Sequence, residues 1–217
     1  MNHLVEKKQP LLNASGSLNE PGYAFTPVFD YHRKMIKASV WRIKEWDYYA
    51  CMNSDFAFSF TVADLGYLGM VTATHLDFST GKETKKTLMT PFPFGKFKMP
   101  NDIYVGDVQV SSKNYRFSFE VKKGERSIDV WIKDFLKGED LQANLKLVDE
   151  KEPHMVIATP WKENPKAFYY NQKINCMPTS GTVKVGERSY TYDPSKHFSV
   201  LDWGRGVWTY KNTWFWG

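Results

Sequence analysis

The chain has 217 residues, enough for one large β domain or two small ones, with 42% hydrophobic and 16% aromatic residues. So high an aromatic share favours strands and an aromatic-lined interior over a helical bundle. Lys and Arg number 29 against 24 Asp and Glu, a net charge of +5, and the lysines are scattered among acids as in Lys82-Glu83-Thr84-Lys85-Lys86, so there is no polybasic patch and no nucleic-acid partner is expected.

Residues 1–22 are polar and broken by Pro10, Gly16, Pro21 and Gly22, which reads as an extended arm with a hairpin near Ala14-Ser15-Gly16. Residues 29–37 fit a short helix with Asp30 as its N-cap. From Val40 a strand pattern takes over. Trp41, Ile43 and Glu45 alternate with Arg42, Lys44 and Trp46, and Phe56, Phe58, Phe60 and Val62 share one face. The cluster of Trp41, Trp46, Asp47 and Tyr48 reads as sheet packing. Residues 67–78 return as a long strand. The stretch TPFPFGKFKMP, 90–100, holds three prolines and a glycine and so is no central strand. Its Phe92, Phe94, Phe97 and Met99 are expected to plug a barrel end.

A meander follows. Tyr115, Phe117, Phe119 and Val121 alternate with polar residues, as do Ile128, Val130 and Ile132, then Leu141, Ala143, Leu145 and Leu147, with glycine turns at Gly124 and Gly138. Further strands are read at 155–159, 168–175, 182–185, 189–192 and 198–201. Such meanders avoid open edges by closing into a barrel. The expected fold is all-β, an antiparallel up-and-down barrel.

The closing stretch FSVLDWGRGVWTYKNTWFWG concentrates four of the eight tryptophans around Asp202 and Arg205, with Gly204 and Gly206 flanking the arginine. Glycines permit turns and close approach of other groups. The stretch therefore reads as a pocket floor or a corner between packed sheets, with Arg205 in ion-pair reach of Asp202. Tyr169 and Tyr170 must face opposite sides of their strand, and Asn171 and Lys173 share the side of Tyr169. No Gly-rich phosphate loop, Gly-x-Ser-x-Gly elbow or metal-spaced His or Cys pair is present, so no cofactor and no metal is expected. No window is long and apolar enough for a transmembrane segment, and the opening MNHLVEKKQPLL is no signal peptide. Cys51 and Cys176 then read as buried free thiols of a cytoplasmic protein.

Three segments together carry a family likeness: Phe168 to Lys173, Ser180 to Gly186 with Tyr190, and Leu201 to Trp208. They resemble the N-terminal lipocalin-like domain of the carotenoid hydratase (hydroxyneurosporene synthase) superfamily. The phrases KEWDYY, MTPFPFGKF, FYYNQKINCM and LDWGRGVWTYKNTWFWG resemble an uncharacterised, unknown-function branch of it. The resemblance implies a lipocalin-like barrel over residues 23–203, after the arm at 1–22. It also implies that residues 204–217 lead into a second, C-terminal lipocalin-like barrel which this chain lacks.

The resemblance further implies a hydrophobic small-molecule partner, isoprenoid-like or lipid, that is hydrated or isomerised. Asp202 matches the family aspartate, and a protonated acid in an apolar site would suit the chemistry. Tyr169, Tyr170, Trp203 and Trp208 could steady a carbocation through their ring faces. The candidate catalytic residues are Asp202 and Arg205; the candidate ligand-binding residues are Tyr169, Asn171, Lys173, Trp203 and Trp208. In the hydratases a basic or polar residue directly follows the aspartate. Here Trp203 does, and an Arg205 pair would make Asp202 a structural corner instead. Whether the chain is an enzyme or a non-catalytic carrier of a hydrophobic ligand stays open at this level.

Overall fold

A computed structural model describes residues 3–150 and 153–213. Fifteen strands follow in chain order. The short β1 (Gln9–Pro10), β2 (Gly22–Ala24) and β3 (Phe29–Asp30) lie in the N-terminal segment. Then come β4 (Ile43–Met52), β5 (Phe56–Asp64), β6 (Leu68–Asp77) and β7 (Lys82–Pro91). After a long loop follow β8 (Val108–Ser112), β9 (Tyr115–Lys122), β10 (Glu125–Leu136) and β11 (Glu139–Val148). The last four are β12 (Met155–Trp161), β13 (Asn164–Val185), β14 (Arg188–Tyr192) and β15 (Phe198–Val207).

Thirteen of these form one antiparallel sheet, whose main path runs β7-β6-β5-β4-β15-β13-β11-β10-β9-β8. The alternation read from the sequence explains it. Phe58, Phe60 and Val62 of β5, Phe117 and Phe119 of β9, and Ile128, Val130 and Ile132 of β10 all turn to one face and are buried there. That face curls round a single core, as in a lipocalin-like half-barrel. β9, β10 and β11 pair in sequence order, as the glycine turns require. The two ends of the path, β7 and β8, do not pair with each other; side chains bridge the seam, Thr90 Oγ1 lying 3.3 Å from the Tyr115 hydroxyl and Lys86 Nζ 3.3 Å from Asp134 Oδ2.

The 22-residue β13 joins the two halves of the sheet. Its first part lies between β12 and β15 and its second between β11 and β14. The register shifts between Ile174 and Met177, where Cys176 has φ of 57°. An extra residue in one strand bends it, and the bulge lets β13 serve both halves.

The N-terminal segment is docked rather than free: Val5, Leu11, Leu12 and Leu18 are buried in the core, and β2 pairs with β12. The helix expected over 29–37 does not form. Phe29 and Asp30 pair with β1 as β3, and only a 3-10 turn over Arg33–Met35 follows. The loop at 92–107 plugs the barrel end only in part. Met99 is buried and Phe97 packs against the core, but Phe92 is exposed and stacks with Phe94 beside Trp41.

Both cysteines are free, but only Cys51 is buried; Cys176 is exposed on its bulge. Burial pushes the Cys51 thiol up to about 12, so it carries almost no thiolate at neutral pH. A disulfide-exchange reagent at pH 8 should therefore titrate Cys176 in the folded protein and Cys51 only after denaturation. Rapid reaction of both thiols in the native state would contradict this packing.

Gly181 offers a second check. It has φ of +119°, and a Cβ there would run into the Asn144 carbonyl across the β11–β13 ladder. Gly181→Ala should cost about 1–3 kcal/mol in urea melts. Gly138→Ala, where nothing lies within 4 Å of the added carbon, should cost less.

Candidate functional site

β15 is flanked by β13 and β4, and the register sets side chains in rows across the three strands. Lys173, Asp202 and Tyr48 form one row on the outer face, and Asn171, Gly204 and Trp46 the next. The outer face is the side of the sheet away from the core.

Gly204 shapes this site. A Cβ there would overlap the Trp46 indole, so the bare glycine lets that ring lie flat on β15. So placed, Trp46 donates from Nε1 to Asp202 Oδ1 at 3.0 Å and stacks on Tyr169 at 6.1 Å with planes 17° apart. Trp208 packs against both rings and against Trp161, with centroids 5.1–5.9 Å away.

The Asp202 carboxylate collects donors. Asn171 Nδ2 gives to Oδ1 at 2.7 Å, and Lys173 Nζ forms an ion pair with Oδ2. Asn171 is itself fixed by a second bond to the Trp203 carbonyl at 2.9 Å. All three partners of Asp202 are donors, which suits an acceptor-only carboxylate. The Asp202 side chain is 11% exposed and that of Lys173 24%. Burial pushes the Tyr48 and Tyr169 hydroxyls above the ordinary phenol range, and the nearby Asp202 charge adds to both. Beside the ring stack runs an open groove of about 440 Å³, lined by Trp46, Tyr48, Thr61, Ala63, Leu65 and Met70 with Asp202.

Arg205 is elsewhere. It lies three residues from Asp202 on a continuous strand, so it points to the opposite, inner face. There its Nη1 donates to Asp47 Oδ1 at 2.9 Å and to the carbonyls of Trp46 and Gly204. Nε and Nη2 bind the Pro100 carbonyl at 3.2 and 3.0 Å. The guanidinium lies 3.8 Å over the Trp203 ring, and Glu45 Oε1 is 4.0 Å from Nε. Glu45 also accepts from the Tyr31 hydroxyl at 2.7 Å and pairs with Arg33. The expected Asp202–Arg205 pair is not formed: each has other partners on its own side.

Of the candidates read from the sequence, Asp202, Tyr169, Asn171, Lys173 and Trp208 meet on the outer face. Arg205 and Trp203 lie on the core side, with Trp203 1% exposed. Trp46, Tyr48 and Met70 belong to the outer site but read from the sequence as ordinary sheet residues. The signal that would have found them is the lack of charge at the outward positions of β4–β6 that follow Lys44. Trp214 and Trp216 fall outside the described residues. Among the described residues no group of three His, Cys, Asp or Glu is placed to hold a metal ion, and no helix is long and apolar enough to cross a membrane.

The chain belongs to the family described as domain of unknown function DUF2804, which matches residues 2–217. No curated protein matches it. Its fold is similar to that of a Nitrosomonas europaea protein provisionally assigned as AttH, with a TM-score of 0.53 at 13% identity. The similarity covers 86% of this chain and 58% of that one, so the chain spans little more than half of its structural relative. Kievitone hydratase of Nectria haematococca is similar at a TM-score of 0.49 and 11% identity, over 75% of this chain and 47% of that protein. The fold is thus lipocalin-like.

Gly204→Ala should lift the Trp46 ring off β15 and break its bond to Asp202, while leaving the inner face intact. The expected result is a changed near-ultraviolet dichroism spectrum with a stability loss of about 1–3 kcal/mol. A wild-type spectrum and melt would show that Trp46 does not lie on Gly204.

Proposed function

We propose that this domain binds a hydrophobic small molecule, isoprenoid-like or lipid, along the outer face of β4–β6. One observation carries the reading. From Trp46 to Leu76 every outward position of these strands is uncharged: Trp46, Tyr48, Ala50 and Met52, then Ala57, Ser59, Thr61 and Ala63, then Leu68, Met70, Thr72, Thr74 and Leu76. An outward sheet face is ordinarily polar and charged, and one without charge that carries Trp46, Met52, Leu68, Met70 and Leu76 suits a hydrophobic ligand. Asp202 and Lys173 supply the polar end at which a hydroxyl or other polar head of the ligand is held.

Hydration or isomerisation of the ligand is a second reading, favoured by the place of Asp202 between the groove and the rings of Trp46 and Tyr169. Those ring faces suit a developing cation. In that reading Lys173, the more exposed partner, moves away when ligand enters. Arg205 and Trp203, on the other face, act as supports of β15 and touch no ligand. A second lipocalin-like barrel covering the open groove fits this reading, and the greater length of the AttH protein supports it. The free thiols support a cytoplasmic setting.

The neutral fluorophore N-phenyl-1-naphthylamine tests the binding face. Saturable fluorescence enhancement is expected, about tenfold weaker in Met70→Glu and Thr61→Asp and unchanged in Ser118→Asp on the other half of the sheet. Equal binding by all of these variants, each folded by its melt, would overturn the assignment.

A further inference from the structure

The outer face of β8–β11 differs from that of β4–β6. Two adjoining hollows of about 670 and 520 Å³ lie on it, and Arg116, Asp129 and Asn144 line both. The strand register accounts for the trough they form. Ser118, Asp129, Asn144 and Thr182 follow one another across β9, β10, β11 and β13, and Arg116, Trp131, Gln142 and Lys184 form the parallel row. Nearly every group is short or planar and hydrogen-bonding.

The groups are also ordered. Arg116 donates from Nε and Nη2 to Asp129 Oδ1 at 3.1 and 2.9 Å, and Asn144 Nδ2 lies 3.4 Å from Asp129 Oδ2. Trp131 is half-buried and tethered at its edge, where Nε1 donates to Asp140 Oδ2 at 3.0 Å. The tether fixes an indole beside the polar row.

Charge narrows the ligand. Arg116 and Asp129 neutralise each other, and among the described residues Lys184 is the single further cation lining the hollows, set against the acid Glu120. A polyanion needs several free cations in line. An apolar ligand would cover this row, in place of water, without offering it a hydrogen bond. A neutral polyhydroxylated chain meets both conditions. Sugar rings carry apolar C–H faces that lie on an indole and hydroxyl rims that suit planar amide, carboxylate and guanidinium groups.

We propose that the outer face of β8–β11 is a carbohydrate-binding surface for a neutral glycan, with Trp131 as its stacking platform and Arg116, Asp129, Gln142 and Asn144 as its hydrogen-bonding row. The surface is distinct from the apolar face of β4–β6 and does not depend on it.

Affinity electrophoresis tests this. The 217-residue protein is run in native gels containing soluble starch, hydroxyethyl cellulose, galactomannan or neutral arabinoxylan. Retardation by at least one of them is expected, about tenfold weaker in Asn144→Ala and in Trp131→Ala and unchanged in Lys85→Ala on β7 of the other half. Asn144 is exposed, so Asn144→Ala decides the matter if Trp131→Ala fails to fold. No retardation by any of these glycans overturns the proposal. So does full retention of binding in folded Asn144→Ala.

Discussion

Arg205 is a fully buried cation, and one end of the barrel is arranged to receive it. Asp47 and Glu45 point inward from β4, Pro100 brings its carbonyl from the loop before β8, and Tyr31 and Arg33 close over Glu45 from the N-terminal segment. Four chain segments thus meet on one guanidinium. A buried ion left without its partner costs about 3–5 kcal/mol. The demand for partners therefore holds β15 in one register against β4. A slip of one residue would send Arg205 to the outer face and bring Gly204 and Gly206 inward. The outer site depends on that register, because only Gly204 leaves room for the Trp46 ring.

The same long sheet then carries two outer surfaces of opposite character. On β4–β6 the side chains that face outward beyond Lys44 are uncharged, and the acids of β4, Glu45 and Asp47, face the core. On β8–β11 apolar residues mostly face the core and polar ones the outside, with Trp131 outside and Arg126, paired with Asp149, inside. The bulge at Cys176 lies in β13 between the parts that serve each half. One strand can thus border the hydrophobic site through Tyr169, Asn171 and Lys173 and the polar trough through Thr182 and Lys184.

The strands were legible in the sequence because period-two alternation between glycine turns has one reading over residues 115–147. The helix at 29–37 was misread because Asp30 resembles an N-cap locally, whereas pairing with β1 decides its backbone. Phe92 and Phe94 were expected inside because a loop rarely spends two phenylalanines on water; here they stack on each other and meet Trp41 edge to face. The site was half legible. Tyr169, Asn171, Lys173 and Asp202 share a face by parity alone. Arg205 was assigned to Asp202 because Gly204 and Gly206 suggested a turn. Both glycines instead sit in a straight strand, one beneath the Trp46 ring and the other against the Phe168 carbonyl. Such close approaches come from residues distant in the chain.

The central claim is that β15 separates two charge systems, Asp202 with Lys173 outside and Arg205 with Asp47 inside. Double-mutant cycles measure it directly. Urea melts of Asp202→Asn, Lys173→Met, Arg205→Lys and the two double variants containing Asp202→Asn give both coupling energies. The structure predicts coupling of about 0.5–3 kcal/mol between Asp202 and Lys173, and additivity within about 0.5 kcal/mol between Asp202 and Arg205. Strong coupling of Asp202 to Arg205 with none to Lys173 would contradict it.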